Sequence, residues 1–139
     1  MPKELSVSFD SKEVNFAKVF DWLSNQAYWA LGRSEETIRS SIDNSLNISV
    51  FDEQHQFIGY GRVVTDGVTF GWLCDVFVDP NERGNGAGKA IARAAVDYFK
   101  NLSDFRLILK TTDAQEIYRS AGFTEFTDPD KWMIVQSKS

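Results

Sequence analysis

Leu5, Val7 and Phe9 alternate with Ser6, Ser8 and Asp10, which is the period-two pattern of a short strand. At 14–27 the period changes, and Phe16, Val19, Phe20 and Leu23 recur at helical spacing along one face. Glu35 to Asp43 reads as a second, short helix. Ser34 is its N-cap, and Glu35 and Glu36 face the positive end of its dipole. The connection Tyr28-Trp29-Ala30-Leu31-Gly32-Arg33 is too aromatic for an ordinary exposed linker. The middle of the chain is β-rich. Ile48–Phe51 and Phe57–Val64 flank the polar turn 52–56, and Asp66-Gly67 signals a hairpin into the long run Val68–Val78. After a glycine-rich stretch, Lys89 to Lys100 carries Ile91, Ala94, Ala95 and Tyr98 on one helical face. Phe105–Leu109 is a compact apolar strand, and Ala114–Ala121 a short helix ended by a left-handed Gly122. Phe123–Phe126 and Trp132–Val135 read as two last strands around Asp128-Pro129-Asp130. The order β, α, α, three β, α, β, α, β, β implies an α/β (α+β layered) fold without internal repeat or linker.

Composition narrows the function classes. At 139 residues the chain is expected to form one domain over 1–139, since a domain takes roughly 150 residues. Hydrophobic (42%) and charged (25%) fractions are those of a globular chain, which excludes disorder. A single cysteine, Cys74, excludes an internal disulfide framework and a multi-thiolate zinc site. The single histidine, His55, argues against a His-rich metal centre or a Ser–His triad, so no metal is expected. A net charge of −5 opposes non-specific nucleic-acid binding. No apolar run approaches the roughly 20 residues of a membrane helix, and the N-terminal segment lacks a signal-peptide core. A cytoplasmic protein without nucleic-acid or membrane partners is the expectation.

The chemistry concentrates in Arg83-Gly84-Asn85-Gly86-Ala87-Gly88-Lys89, which joins a predicted strand to a predicted helix. Glycines let the backbone approach a ligand closely, and first-turn amides with the helix dipole favour an anion such as phosphate. Spacing excludes two phosphate loops. A P-loop would need glycine at Arg83 and serine or threonine at Ala90, and the dinucleotide fingerprint would need glycine at Lys89. A kinase glycine loop joins two strands and is excluded by its context.

The stretch resembles the acyl-CoA-binding motif of the GNAT superfamily of N-acetyltransferases, [Arg/Gln]-x-x-Gly-x-[Gly/Ala], through Arg83, Gly86 and Gly88. Asp75-Val76-Phe77-Val78-Asp79-Pro80 lies just before it, and the segment 114–123 resembles the family's closing helix, with Tyr118 ahead of Gly122-Phe123. The resemblance runs from Leu5 to Val135. It implies a GNAT-like fold, with a mixed, mostly antiparallel sheet of six to seven strands flanked by about four helices. It also implies acetyl-CoA as acyl donor. The backbone of Arg83, Gly84, Asn85, Gly86, Ala87, Gly88 and Lys89 would hold the pyrophosphate, and Val76, Phe77 and Val78 would offer main-chain groups to the pantetheine arm. A V-shaped opening between Val68–Val78 and Phe105–Leu109 would admit the acceptor. Tyr118 matches the position that protonates the leaving thiolate, as a phenol with pKa near 10 can; a buried packing tyrosine is the alternative. Thr111 stands where many members carry asparagine, and either contacts the cofactor or helps cap the helix.

The amine must be neutral to attack, and for a lysine-like amine this costs about 4–5 kcal/mol at pH 7. Asp75 is the carboxylate best placed to act as base if burial raises its pKa, its alternative being a carboxylate satisfied by neighbouring backbone or by Arg62. Its parity matches Leu73 and Phe77, which would point Cys74 the other way. The family's acceptor pocket falls here on Tyr28, Trp29, Arg33 and Trp72, with Phe70 and Trp132 near. Aromatic walls suit an amine's methylenes or cationic head. The acidic surface favours a cationic acceptor, whereas Arg33 suits a carboxylate-bearing one. Two readings follow. One is a metal-free N-acetyltransferase acting on a small-molecule or protein amine by direct transfer. The other is a catalytically silent acyl-CoA-binding or sensory module. Exposed strand edges could also pair the chain into a homodimer.

Overall fold

In the computed structural model, residues 4–137 are described. The chain runs β1 (Ser6–Ser8), α1 (Phe16–Phe20), α2 (Glu35–Asp43), β2 (Leu46–Phe51), β3 (Phe57–Thr65), β4 (Phe70–Val78), α3 (Ala87–Phe99), β5 (Arg106–Ile108) and α4 (Gln115–Ser120). Local signals set most boundaries. Ser34 Oγ accepts the Thr37 N–H at 3.1 Å and starts α2. Asp66 Oδ1 accepts from the amides of Val68 and Thr69, and Gly67 takes φ +85°, which closes the β3–β4 hairpin. Gly122 at φ +108° ends α4, with the Phe123 N–H bonded to Tyr118 O. The helix expected over 14–27 is shorter in its α form. Asn15 caps α1, and the chain then widens into a π-helical turn, Asp21–Gln26, that buries Trp22 and Leu23.

The sheet has the order β1-β2-β3-β4-β5, antiparallel except for the parallel β4–β5 pair. Five strands form among the described residues, not the expected six to seven. Phe123–Phe126 and Trp132–Val135 make no ladder among the described residues. A 3₁₀ turn at Pro129–Lys131 folds the segment back so that Phe126 meets Trp132 at 4.3 Å, and an aromatic pair replaces strand pairing. Met133, Ile134 and Val135 all face solvent, so this run has no buried face to fix a register.

Each sheet face carries its own core. α1, the π turn and α2 cover one face through Val19, Trp22, Leu23 and Ile38, packed with Tyr60 and Phe77. α3 and α4 cover the other, where Ile91, Ala95, Phe99 and Tyr118 meet Val50, Val63 and Leu73. α3 lies so close to β3 that a Cβ on Gly61 would stand 2.9 Å from Ile91 Cγ2. None of the helices among the described residues is long and apolar enough to cross a membrane.

Candidate active site

β4 departs from regular pairing at its centre. Tyr60 pairs with Phe77 and Arg62 with Cys74, so Gly61 alone opposes both Asp75 and Val76. That is a β-bulge, and Asp75 sits in it at φ +51°. Residue parity therefore changes along the strand. Leu73 packs towards α3, Phe77 towards α1, and Cys74 shares the sheet face of its partner Arg62. The expectation that Cys74 points away from Asp75 fails, because it counted the strand without the extra residue. On the other side of β4, pairing with β5 ends at Trp72–Ile108. From Leu73 to Val78 this edge of β4 has no strand beside it among the described residues, which is the opening between these two strands.

The free edge leads into the glycine turn. Gly84 and Gly86 have φ of +85° and +92°, and a Cβ at either would meet nothing within 4 Å. Glycine is needed there for the left-handed backbone, and the turn's surface is open. Gly86 is the N-cap of α3, whose first bond runs from the Ala90 N–H to Gly86 O. The amides of Ala87, Gly88 and Lys89 therefore have no intrahelical acceptor. Gly88 faces α4, its virtual Cβ lying 3.7 Å from Ile117 Cδ1. Lys89 is exposed, Asn85 is half-buried and Ala87 is buried. Arg83 folds back on β4, donating from Nε to Val78 O at 3.2 Å with its guanidinium 5.1 Å over Phe77. Of the three β4 residues assigned to the pantetheine arm, Val78 thus has its carbonyl engaged by Arg83.

α4 lies against this turn. Tyr118 is buried in the same apolar cluster as Ala87 and Ile91, edge-on to Phe123. Its hydroxyl makes no hydrogen bond among the described residues. Burial, aided by Asp113, raises its pKa above the ordinary 10.0, so it holds its proton at neutral pH. Thr111 Oγ1 accepts the Ala114 N–H at 3.1 Å, organising the segment just before α4. Thr112 reaches further. Its hydroxyl lies 2.7 Å from Tyr28 OH, tying the aromatic loop after α1 to the start of α4.

On the α1 side of the bulge, Asp75 gathers three donors. Trp29 Nε1 donates to Oδ1 at 2.9 Å, while Arg33 Nη1 (2.8 Å) and Arg62 Nε (2.7 Å) donate to Oδ2. Burial alone would raise the Asp75 pKa, but the two guanidinium groups outweigh it and hold the carboxyl below its ordinary value. Asp75 is thus a satisfied carboxylate, not one poised to take a proton near neutrality. Arg62 also donates to Ser45 Oγ at 3.0 Å. Burial pushes the Cys74 thiol up to about 11, which leaves it protonated. Trp72, paired with Val64, is 43% exposed, as is Trp29. Tyr28 is exposed, and Trp132 packs with Phe126 and lies under the Arg106 guanidinium. His55 lies in the β2–β3 turn, stacked on Phe51.

A sheet edge opened at a bulge, followed by a left-handed glycine turn at a helix start, can be compared with known proteins. Residues 16–123 match the model of the Acetyltransferase (GNAT) family. The chain belongs to that family. A solved structure of a candidate GNAT acetyltransferase from Xanthomonas campestris pv. campestris superposes with a TM-score of 0.87 at 30% identity, over 99% of this chain and 96% of that one. A candidate acetyltransferase of Gibberella zeae, FG08082, is 33% identical over 82 residues, which are 56% of this chain and 45% of that protein. The match thus spans less than half the length of that curated relative.

Within this GNAT chain, the structure brings several sequence-assigned residues together in ways their assignment did not include. Trp29 and Arg33, assigned to the acceptor, both spend a donor on Asp75. Arg62, considered only as a partner for Asp75, proves to be one of three. The Tyr28–Thr112 contact was missed. Its only sequence signal is that both residues flank segments placed at the opening, 84 positions apart.

Proposed function

We propose that this chain is an acetyl-CoA-dependent N-acetyltransferase that acts on a primary amine of a small molecule or protein by direct transfer in a ternary complex. The supporting observation is the unpaired β4 edge, Leu73–Val78, running straight into the left-handed turn at the start of α3. An extended chain can pair with such an edge through main-chain bonds, as in β-augmentation. A phosphate can then sit on the free amides of Ala87, Gly88 and Lys89 with Arg83 and Lys89 near. These residues fit coenzyme A, whose thioester supplies the acetyl group.

Tyr118, on the α3 side of the sheet, is the proton donor to the departing thiolate. Its raised pKa keeps it protonated, and its hydroxyl has no partner to break from among the described residues. The acceptor reaches the opening from the α1 side, past Trp29, Trp72 and Arg33. Because Asp75 is bound to three donors, the amine loses its proton to solvent or through its surroundings, not to that carboxylate. The engaged state of Asp75 also supports a second reading, a catalytically silent acyl-CoA-binding module.

Thermal unfolding across an acetyl-CoA titration, with thiol release measured over an amine panel, tests both. Ligand at 100 times Kd adds about 2.7 kcal/mol of stability. A saturable shift with thiol release supports the transferase, and a shift with silence supports the module. No shift at millimolar acetyl-CoA overturns both.

A further inference from the structure

The acceptor side of the opening holds two guanidinium groups against one carboxylate. Arg33 and Arg62 both pair with Asp75, and neither has another carboxylate partner among the described residues. The cluster therefore carries one surplus positive charge, set into the fold: the Asp75, Arg62 and Arg33 side chains are 3%, 13% and 23% exposed. Arg33 is the outermost. Among the described residues only its Nη1 is engaged, which leaves Nε and Nη2 as a fork. Trp29, whose indole is 43% exposed, shares Asp75 with it, and Trp72, equally exposed, lies three residues before Asp75 on β4.

We propose that the acceptor carries an anionic group, carboxylate or phosphate, besides its amine, and that Arg33 is the residue that binds it. This rests on the transferase reading for the location of the acceptor. The chain's overall charge of −5 favours approach of a cation, but local charge decides what binds. A polyamine would bring its ammonium groups against an unbalanced, poorly solvated guanidinium pair, whereas an oxyanion meets a free planar fork. The same surplus charge lowers the pKa of an amine held beside it. It thus assists the deprotonation that Asp75 is not free to perform.

The test uses matched amines titrated calorimetrically onto the protein, with and without saturating CoA, while thioester loss is followed in parallel with acetyl-CoA. The pairs are phenylalanine against phenethylamine and glucosamine 6-phosphate against glucosamine, which separates carboxylate from phosphate; spermidine is the cationic arm. The proposal expects the anionic member of at least one pair to bind about tenfold tighter or more. It expects Arg33→Gln to abolish that preference and Arg33→Lys to keep part of it. Equal or tighter binding of the members without the anionic group, or of spermidine, overturns it, as does failure of every anionic member to bind. Preferential binding without thioester loss would keep Arg33 as the anion-binding residue but defeat the transferase reading, the bound molecule then being a ligand and no acceptor. Thioester loss with spermidine alone would do the reverse. The wild-type comparison needs no variant to fold.

Discussion

Replacing Asp75 by asparagine separates the two roles a buried carboxylate can have at this position. The substitution keeps the shape and one acceptor oxygen, and asparagine tolerates the left-handed backbone that Asp75 adopts at φ +51°. What it removes is the charge opposite Arg33 and Arg62. Leaving one side of a buried ion pair unmatched costs roughly 3–5 kcal/mol. The guanidinium groups keep some solvent, and the amide oxygen can still accept from Trp29, which together bring the expected loss to about 2–3 kcal/mol. For a domain of this length that is a fall in Tm of about 6–12 °C at pH 7.

The pH dependence carries a further signature. The folded-state pKa of Asp75 lies below the ordinary 3.8, so its stabilising contribution is full above that value and is lost as pH falls through the lower folded value. The gap in Tm between wild type and Asp75→Asn should therefore be constant above about pH 5 and close in the acid range. Differential scanning calorimetry between pH 3 and 8 would measure it. A variant with unchanged Tm, but with turnover lost and a wild-type kcat profile rising near pH 6–7, would refute this reasoning and return Asp75 to the role of base.

Tyr118→Phe should leave Tm nearly unchanged, since the hydroxyl has no partner among the described residues, and should lower kcat about 100-fold or more. Because its pKa is raised above the ordinary phenol value, wild-type kcat should show no fall from this group between about pH 6 and 9; steady-state kinetics at constant ionic strength checks both statements. Gly86→Ala puts a side chain on a residue at φ +92° and should cost about 1–2 kcal/mol of strain while raising KM for acetyl-CoA. An unaltered KM would show that this turn does not hold the donor. Gly61→Ala should destabilise by about 1–3 kcal/mol in urea unfolding, as its new methyl would lie 2.9 Å from Ile91 Cγ2. An unaffected midpoint would mean that α3 moves freely off β3.

Elements governed by neighbours in sequence were legible, and those governed by distant partners were not. Ser34, Gly67 and Gly122 each act within a few residues, and each marks the element end that the sequence assigned to it. Phe123–Phe126 and Trp132–Val135 have strand composition, but a ladder needs an available partner, and the turn at Pro129–Lys131 pairs Phe126 with Trp132 instead. The bulge escaped for a related reason. An extra residue in β4 is visible only against the register of β3, and no local glycine marks it. Asp75 was singled out from its place in an apolar strand. Its donors Trp29 and Arg33 lie 46 and 42 residues away, beyond the reach of any local pattern.

The bulge also explains why the opening exists without a ligand to force it. An extra residue bends its strand and increases its twist. Here it falls three residues after the last β4–β5 pair, Trp72–Ile108, so β5 would have to follow a strand turning away from it. β5 ends instead, and the β4 edge beyond Leu73 remains free. The bulge requires a residue at positive φ, a conformation costing on the order of 1–3 kcal/mol for a non-glycine residue. Asp75 is among the side chains that bear this best, and from that backbone its carboxylate faces Arg62, Arg33 and Trp29. Those three bonds hold the strained residue in place, and through Trp29 and Arg33 they anchor the loop after α1 to the bulge. The ion-pair cluster therefore acts on both sides of the site at once. It fixes the bend that exposes main-chain groups on β4, and it positions the aromatic and cationic side chains on the face proposed for the acceptor.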